Sequence, residues 1–367
     1  MGDHGSVKYE VHASDHVVPS KAVYNVLFTQ PRTCSHLLLR ILNLPQQPSI
    51  YAHPSSGYFF ISAMQKRFSD GRIGKYITEW TEEQKVDFRD SMNQSAERVE
   101  NWIKEVQNAG KGTIFKEHTS WFIDSAWEEK FLRGLHNAEE VDWSSISNNE
   151  SVGRDTTRTA GNETVLSDDT LKKLRPTFLI RHPALAFPSL AKSSIDVINS
   201  ADAQFFSLTY HWSRRLYEWY SANLSEEQKQ TNREDLQSPI ILDADDILEP
   251  ALVRKYADAI GLDTSALRFE WEVATQGELE KASGLARRMK STLFASTSVE
   301  KGKSSEGVNI EAETKKWVEE YGQEIADRLA YLVEKAMPDF EWLKERRMRV
   351  PKVDEQGPAS YAMNYSS

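Results

Sequence analysis

Only one cysteine, Cys34, occurs in 367 residues, so the chain cannot build an internal disulfide framework or a zinc site of the paired-cysteine kind. No stretch approaches the ~18 apolar residues that span a bilayer. Residues 1–20 carry acidic and histidine side chains where a secretory leader would place an apolar run. Basic residues are outnumbered, 45 against 55 acidic ones. The resulting net charge of −10 argues against a general grip on nucleic acid and leaves a local basic pocket as the place for an anionic ligand. These absences lead us to expect a soluble, cytoplasmic chain in a reducing compartment, with no nucleic-acid partner, no membrane partner and no metal site. A homodimer is left open.

What is present reads as strands alternating with helices. Residues 22–28 are β-branched and aromatic, residues 29–32 break the run, and residues 36–43 read as a helix that ends before Pro45. Residues 112–116, 177–180 and 239–243 are further short strands. Helices are expected over 82–107, 121–135, 203–220, 250–260 and 314–335. Apolar strands separated by helices imply an α/β domain whose parallel sheet is covered on both faces. A single domain is expected over 21–349, between a flexible N-terminus at 1–20 and a flexible tail at 350–367. Residues 137–170 are rich in Ser, Asn, Asp, Thr and Gly and read as a long mobile insert, with a lid over a site as the other reading.

Four places carry chemistry. The loop Pro31-Arg32-Thr33-Cys34-Ser35-His36 joins the first strand to its helix, where unpaired amides and the helix dipole favour an oxyanion. Arg32 offers a bidentate grip and Thr33 and Ser35 offer hydroxyls. The loop lacks the glycine run and Lys-Ser/Thr ending of an ATP-binding loop, which disfavours ordinary kinase or NTPase chemistry. Arg181 leaves the third strand and Ser189 follows about two helical turns later, on the side where open sheets hold ligands. The other reading is a surface arginine and a helix-capping serine. His118 leaves the second strand and is a general-base candidate near neutral pH, or a structural histidine. Lys301 and Gly302 form a basic turn that could close on a charged ligand or remain solvated.

In this order the signals resemble the family of sulfotransferases that use 3′-phosphoadenylyl sulfate (PAPS). The family's opening loop, Pro-Lys/Arg-Ser-Gly-Thr/Ser-Thr, aligns with Pro31 to His36. Its Arg and the Ser eight residues on align with Arg181 and Ser189, and its Lys-x-His context with Lys116-Glu117-His118. Residues 301 and 302 match its terminal Lys-Gly turn weakly. The resemblance implies a three-layer α/β/α fold of the P-loop NTPase-like kind, with a mainly parallel central sheet and PAPS as cofactor. It implies that Arg32, Thr33, Cys34, Ser35 and His36 surround the 5′-phosphosulfate, and that Arg181 and Ser189 hold the 3′-phosphate with Lys301 and Gly302. His118 would be the base that deprotonates a hydroxyl or amine of a small organic acceptor, and Arg32 would stabilise charge on the departing phosphate. Tyr51, Tyr58, Phe59, Trp121 and Phe122 are acceptor-pocket or core aromatics. Two residues depart from the pattern: Cys34 stands at the family's glycine and His36 at its hydroxyl residue. That leaves open a repurposed enzyme performing an elimination, cyclisation or other transfer, and a non-catalytic nucleotide-binding or interaction module.

Overall fold

The computed structural model describes residues 22–69, 71–134, 158–282, 284–299 and 304–350. Four strands form one sheet in the order β2-β1-β3-β4, all parallel: β1 (Tyr24–Thr29), β2 (Thr113–His118), β3 (Leu174–Ile180) and β4 (Ile240–Asp243). Around them lie α1 (Ser35–Leu42), α2 (Ile61–Arg67), α3 (Glu82–Asn108), α4 (Ser125–Arg133), α5 (Asp168–Lys173), α6 (Pro183–Ile198), α7 (His211–Asn223) and α8 (Glu226–Lys229). They are followed by α9 (Pro250–Ala259), α10 (Gln276–Lys281), α11 (Gly284–Met289), α12 (Ser291–Ala295), α13 (Ile310–Tyr321) and α14 (Gln323–Glu345). No helix among the described residues is long and apolar enough to cross a membrane.

The sheet is buried on both faces, which is why its strands read as continuous apolar runs rather than alternating ones. Val26 and Phe28 of β1, Phe115 of β2 and Phe178 of β3 join a core with Val99 and Trp102 of α3, Leu190 of α6, Leu216 of α7 and Val333 of α14. Leu27, Ile114, Leu179 and Leu242 face the other way, onto Leu38 and Ile41 of α1 and Val253 and Tyr256 of α9. This is the three-layer α/β/α arrangement expected. After β1 the chain crosses to β2 on one side and then to β3 on the other, so the carboxyl end of β1 is the sheet's switch point, where open α/β sheets hold ligands.

Several boundaries differ from the sequence reading. The helix expected over 121–135 starts only at Ser125, because the Asp124 side chain caps it by accepting the Ala126 amide; residues 119–121 form a short 3-10 turn instead. The 203–220 helix divides into a 3-10 segment (Ala201–Ser207) and α7, and the 314–335 helix is two helices parted at Gly322. Residues 137–157 of the expected insert, and the flexible termini expected at 1–20 and from 351 onward, lie outside the described residues. Residues 162–168 are buried, with Val165 N–H donating to Phe122 and the Asn162 side chain bonding Leu166 and Asp168, so the mobile reading does not extend over this part.

One loop is tied to β2 with particular closeness. Lys116 N–H donates to Ser56 O at 2.9 Å and Tyr58 N–H donates to Lys116 O at 3.0 Å, with Gly57 as the bridged residue between. A Cβ on Gly57 would stand 2.2 Å from the Lys116 carbonyl oxygen, and its φ of 114° is one that side chains avoid. A Cβ on Gly110, with φ 64°, would meet nothing within 4 Å among the described residues beyond its chain neighbours. Gly57→Ala is therefore expected to cost about 2–4 kcal/mol and Gly110→Ala about 1 kcal/mol in denaturant unfolding; equal losses would contradict the close approach.

Candidate functional site

The carboxyl ends of β1, β2 and β3 bring the loop after β1, Lys116 and His118, and Arg181 to one edge. Gln30 is buried and donates to Thr209 O at 2.6 Å, fixing the start of the loop. Thr33 is turned inward, its hydroxyl donating to Gln30 O at 2.8 Å with no solvent exposure, so it shapes the loop rather than offering a free donor. Arg32 and Cys34 both lie in the left-handed region, at φ 70° and 63°. Cys34 thus adopts a backbone conformation that glycine takes without strain, and its side chain does not cap the helix that follows. With no acidic residue in the first turn of α1 and no side-chain cap, its leading amides are available to an oxyanion.

Cationic and hydroxyl side chains converge there. Arg32 Nε donates to Ser189 Oγ at 2.9 Å, and the Arg181 guanidinium donates to Arg32 O at 3.0 Å. The Tyr210 hydroxyl accepts the Arg181 amide and donates to the Arg181 carbonyl, fixing the end of β3. Pro183 opens α6 behind it and brings Ser189 round to Arg32. Lys116 is completely buried, with Nζ 3.3 Å from Ser35 Oγ and 3.0 Å from His36 Nδ1. Burial holds its ammonium well below the usual lysine range, and the charge of Lys290 adds to this. Burial likewise lowers Arg32, reinforced by Arg288 and Arg181, and lowers His36, reinforced by Lys116 and Lys290. Mutually repelling cations around buried hydroxyls are relieved by a bound anion, so this donor set fits a polyanionic ligand.

His118 sits beside this cluster. The register pairs Thr29 with His118 directly, and Thr29 Oγ1 lies 2.7 Å from His118 Nδ1. Thr29 Oγ1 also reaches Glu117 O at 3.4 Å, so a chain in which Nδ1–H donates to Thr29 and Thr29 donates onward leaves Nε2 with its lone pair. Burial, with help from the Lys116 charge, lowers His118 to about 3, so the ring is neutral and able to accept a proton. Glu117 points to the opposite face, its carboxylate accepting the His118 and Phe60 amides, and burial raises it to about 8. The aromatics singled out in the sequence separate here. Tyr58 and Trp121 pack on the His118 ring, whereas Phe122 and Phe59 are core and Tyr51 stacks on Trp102.

The sequence reading gave no role to Lys116, although alternation along β2 places it on the same face as His118. Arg288 and Lys290 were missed because they lie outside the four segments that carry a recognisable chemistry in the sequence. Lys301 and Gly302 lie outside the described residues. Ser305, just beyond them, donates to the Asp245 carboxylate at the end of β4.

The parallel α/β/α sheet thus brings a cation- and hydroxyl-rich loop after β1 beside the buried imidazole at the end of β2. Comparison with known proteins gives the family. Over 338 residues the chain is 36% identical to the sulfotransferase ppzF of Metarhizium majus, covering 90% of this chain and 98% of that protein. Over 341 residues it is 35% identical to the sulfotransferase ppzF of Metarhizium rileyi, covering 91% and 98%. The chain belongs to this sulfotransferase family and is a transferase. No family-wide sequence profile and no solved structure matches it.

Because His118 is held near 3 against 6.5 for an ordinary histidine, the stability it contributes is complete above about 6.5 and falls away as pH drops towards 3. Its ring-nitrogen NMR shifts in the free protein are expected not to titrate between about pH 8 and about pH 5; a midpoint near the ordinary histidine value would contradict its burial beside Lys116.

Proposed function

We propose that this chain transfers the sulfuryl group of PAPS to a hydroxyl or amine of a small organic acceptor. The observation that carries this reading is the convergence of Arg32, Lys116 and Arg181 with Ser35 and Ser189 at the switch point, next to a neutral His118. The first-turn amides of α1, with the side chains of Ser35 and Lys116, take the 5′-phosphosulfate end. Arg181 and Ser189 take the 3′-phosphate. Arg32, bonded to Ser189, stands between the two and stabilises charge on the departing phosphate.

PAPS supplies a sulfur whose bond to the 5′-phosphate oxygen can be displaced in line. His118 Nε2 removes the proton from the acceptor's hydroxyl or amine while Thr29 holds the ring through Nδ1. The acceptor's heteroatom bonds to sulfur, the bond from sulfur to the bridging oxygen breaks, and adenosine 3′,5′-bisphosphate leaves with that electron pair. Burial and, after it, the Lys116 charge lower His118 in the free protein, so a polyanion that offsets that charge strengthens His118 as a base when the reaction needs it. The ring of Trp121 packs on His118 with centroids 4.5 Å apart and fixes its orientation.

Calorimetry with adenosine 3′,5′-bisphosphate is expected to give binding in the micromolar range, weakened roughly tenfold or more by Arg181→Ala. With PAPS and an accepting phenol or amine, His118→Ala is expected to abolish nucleotide release while keeping that affinity. No binding at about millimolar ligand would overturn the reading.

A further inference from the structure

His36 and Tyr58 stand between the anion-fitting side of the site and its base. His36 Nδ1 is 3.0 Å from Lys116 Nζ, and His36 Nε2 is 3.3 Å from the Tyr58 hydroxyl. The Tyr58 ring lies against His118, with centroids 5.3 Å apart, and under Lys116, whose Nζ is 4.5 Å from the ring centre. The loop is locked in this pose by the Gly57 contact with Lys116 and by a left-handed φ of 61° at Tyr58 itself.

The hydrogen count of this chain has one outcome once an anion is beside Lys116. An ammonium has no acceptor, so Lys116 donates to His36 Nδ1. With Nδ1 accepting from that ammonium, the ring hydrogen of the buried His36 imidazole is on Nε2 and is given to the Tyr58 oxygen. Burial, with the Glu117 charge, raises the Tyr58 phenol, which therefore keeps its own hydrogen. Among the described residues that hydrogen has no acceptor. Tyr58 thus presents a directed, unused O–H between the cations and His118.

Resting on the proposed sulfuryl transfer, the geometry points to Tyr58 as a catalytic residue whose hydroxyl donates to an oxygen of the sulfuryl group in transit, with His36 as the positioning residue that aims it. A donor at this point orients the group between the leaving oxygen and the attacking atom and opposes its rotation.

Binding of two ligands separates this role from a structural one, because adenosine 3′,5′-bisphosphate lacks only the sulfuryl group of PAPS. Tyr58→Phe keeps the ring contacts and removes the hydroxyl. Calorimetry at a temperature where PAPS is intact should show PAPS weakened roughly five- to tenfold and adenosine 3′,5′-bisphosphate unchanged. His36→Phe should reproduce the pattern more weakly. Equal weakening of both ligands would make Tyr58 structural and overturn the assignment, as would no change in either. Wild-type protein that binds neither ligand would overturn the sulfuryl-transfer reading and this inference with it. Wild type that binds both, with an unaltered Tyr58→Phe, would overturn this inference alone.

Discussion

The site depends on the burial of the Lys116 ammonium at the end of a central parallel strand. A lysine with no solvent exposure and, among the described residues, no carboxylate at hydrogen-bond distance costs several kcal/mol, and its neighbours here are hydroxyl, imidazole and more positive charge. That cost is offset when a polyanion arrives. Burial, reinforced by the same charge, keeps His118 neutral beforehand, so in this account the buried cation also bears on the strength of the base. Fold stability and site chemistry therefore pull in opposite directions at this residue, as is common where function is built into a core.

The backbone around Lys116 is arranged to hold this tension. β2 lies at an edge of the sheet, and the 56–58 loop pairs with it as a further rung, closing Lys116 off from solvent on that side. Left-handed residues at Arg32, Cys34, Ser56 and Tyr58 gather on the two loops that meet there. Such conformations persist only when surrounding contacts over-determine them. Here those contacts are Gln30 on Thr209, Arg181 on Arg32, and Gly57 against the Lys116 backbone.

The four strands and the loop after β1 were legible because both-face burial writes an apolar run and because helix starts have a chemistry of their own. Asp124 and Gly322 were harder to read. A cap or a break within an amphipathic stretch leaves the apolar periodicity intact while moving the helix boundary. Arg32, Ser35, His118, Arg181 and Ser189, singled out from order and spacing, lie together at the carboxyl ends of β1, β2 and β3. Thr33 was read as an outward donor, but its hydroxyl closes the loop, a distinction set by one rotamer and invisible to spacing. Lys290 and Arg288 reach the cluster from segments far along the chain, so only tertiary packing reveals them, whereas Tyr58 was singled out as an acceptor-pocket or core aromatic and packing adds the contact of its hydroxyl with His36. Cys34 marked a departure from the family's loop, and its left-handed φ shows that the turn is kept with a side chain in place.

A crystal structure with adenosine 3′,5′-bisphosphate bound tests the central claim most directly. The account predicts the 5′-phosphate within hydrogen-bond distance of Lys116 Nζ and the first-turn amides of α1, and the 3′-phosphate against Arg181 and Ser189. A nucleotide whose phosphates touch neither group, with Lys116 still enclosed by Ser35 and His36 alone, would contradict it.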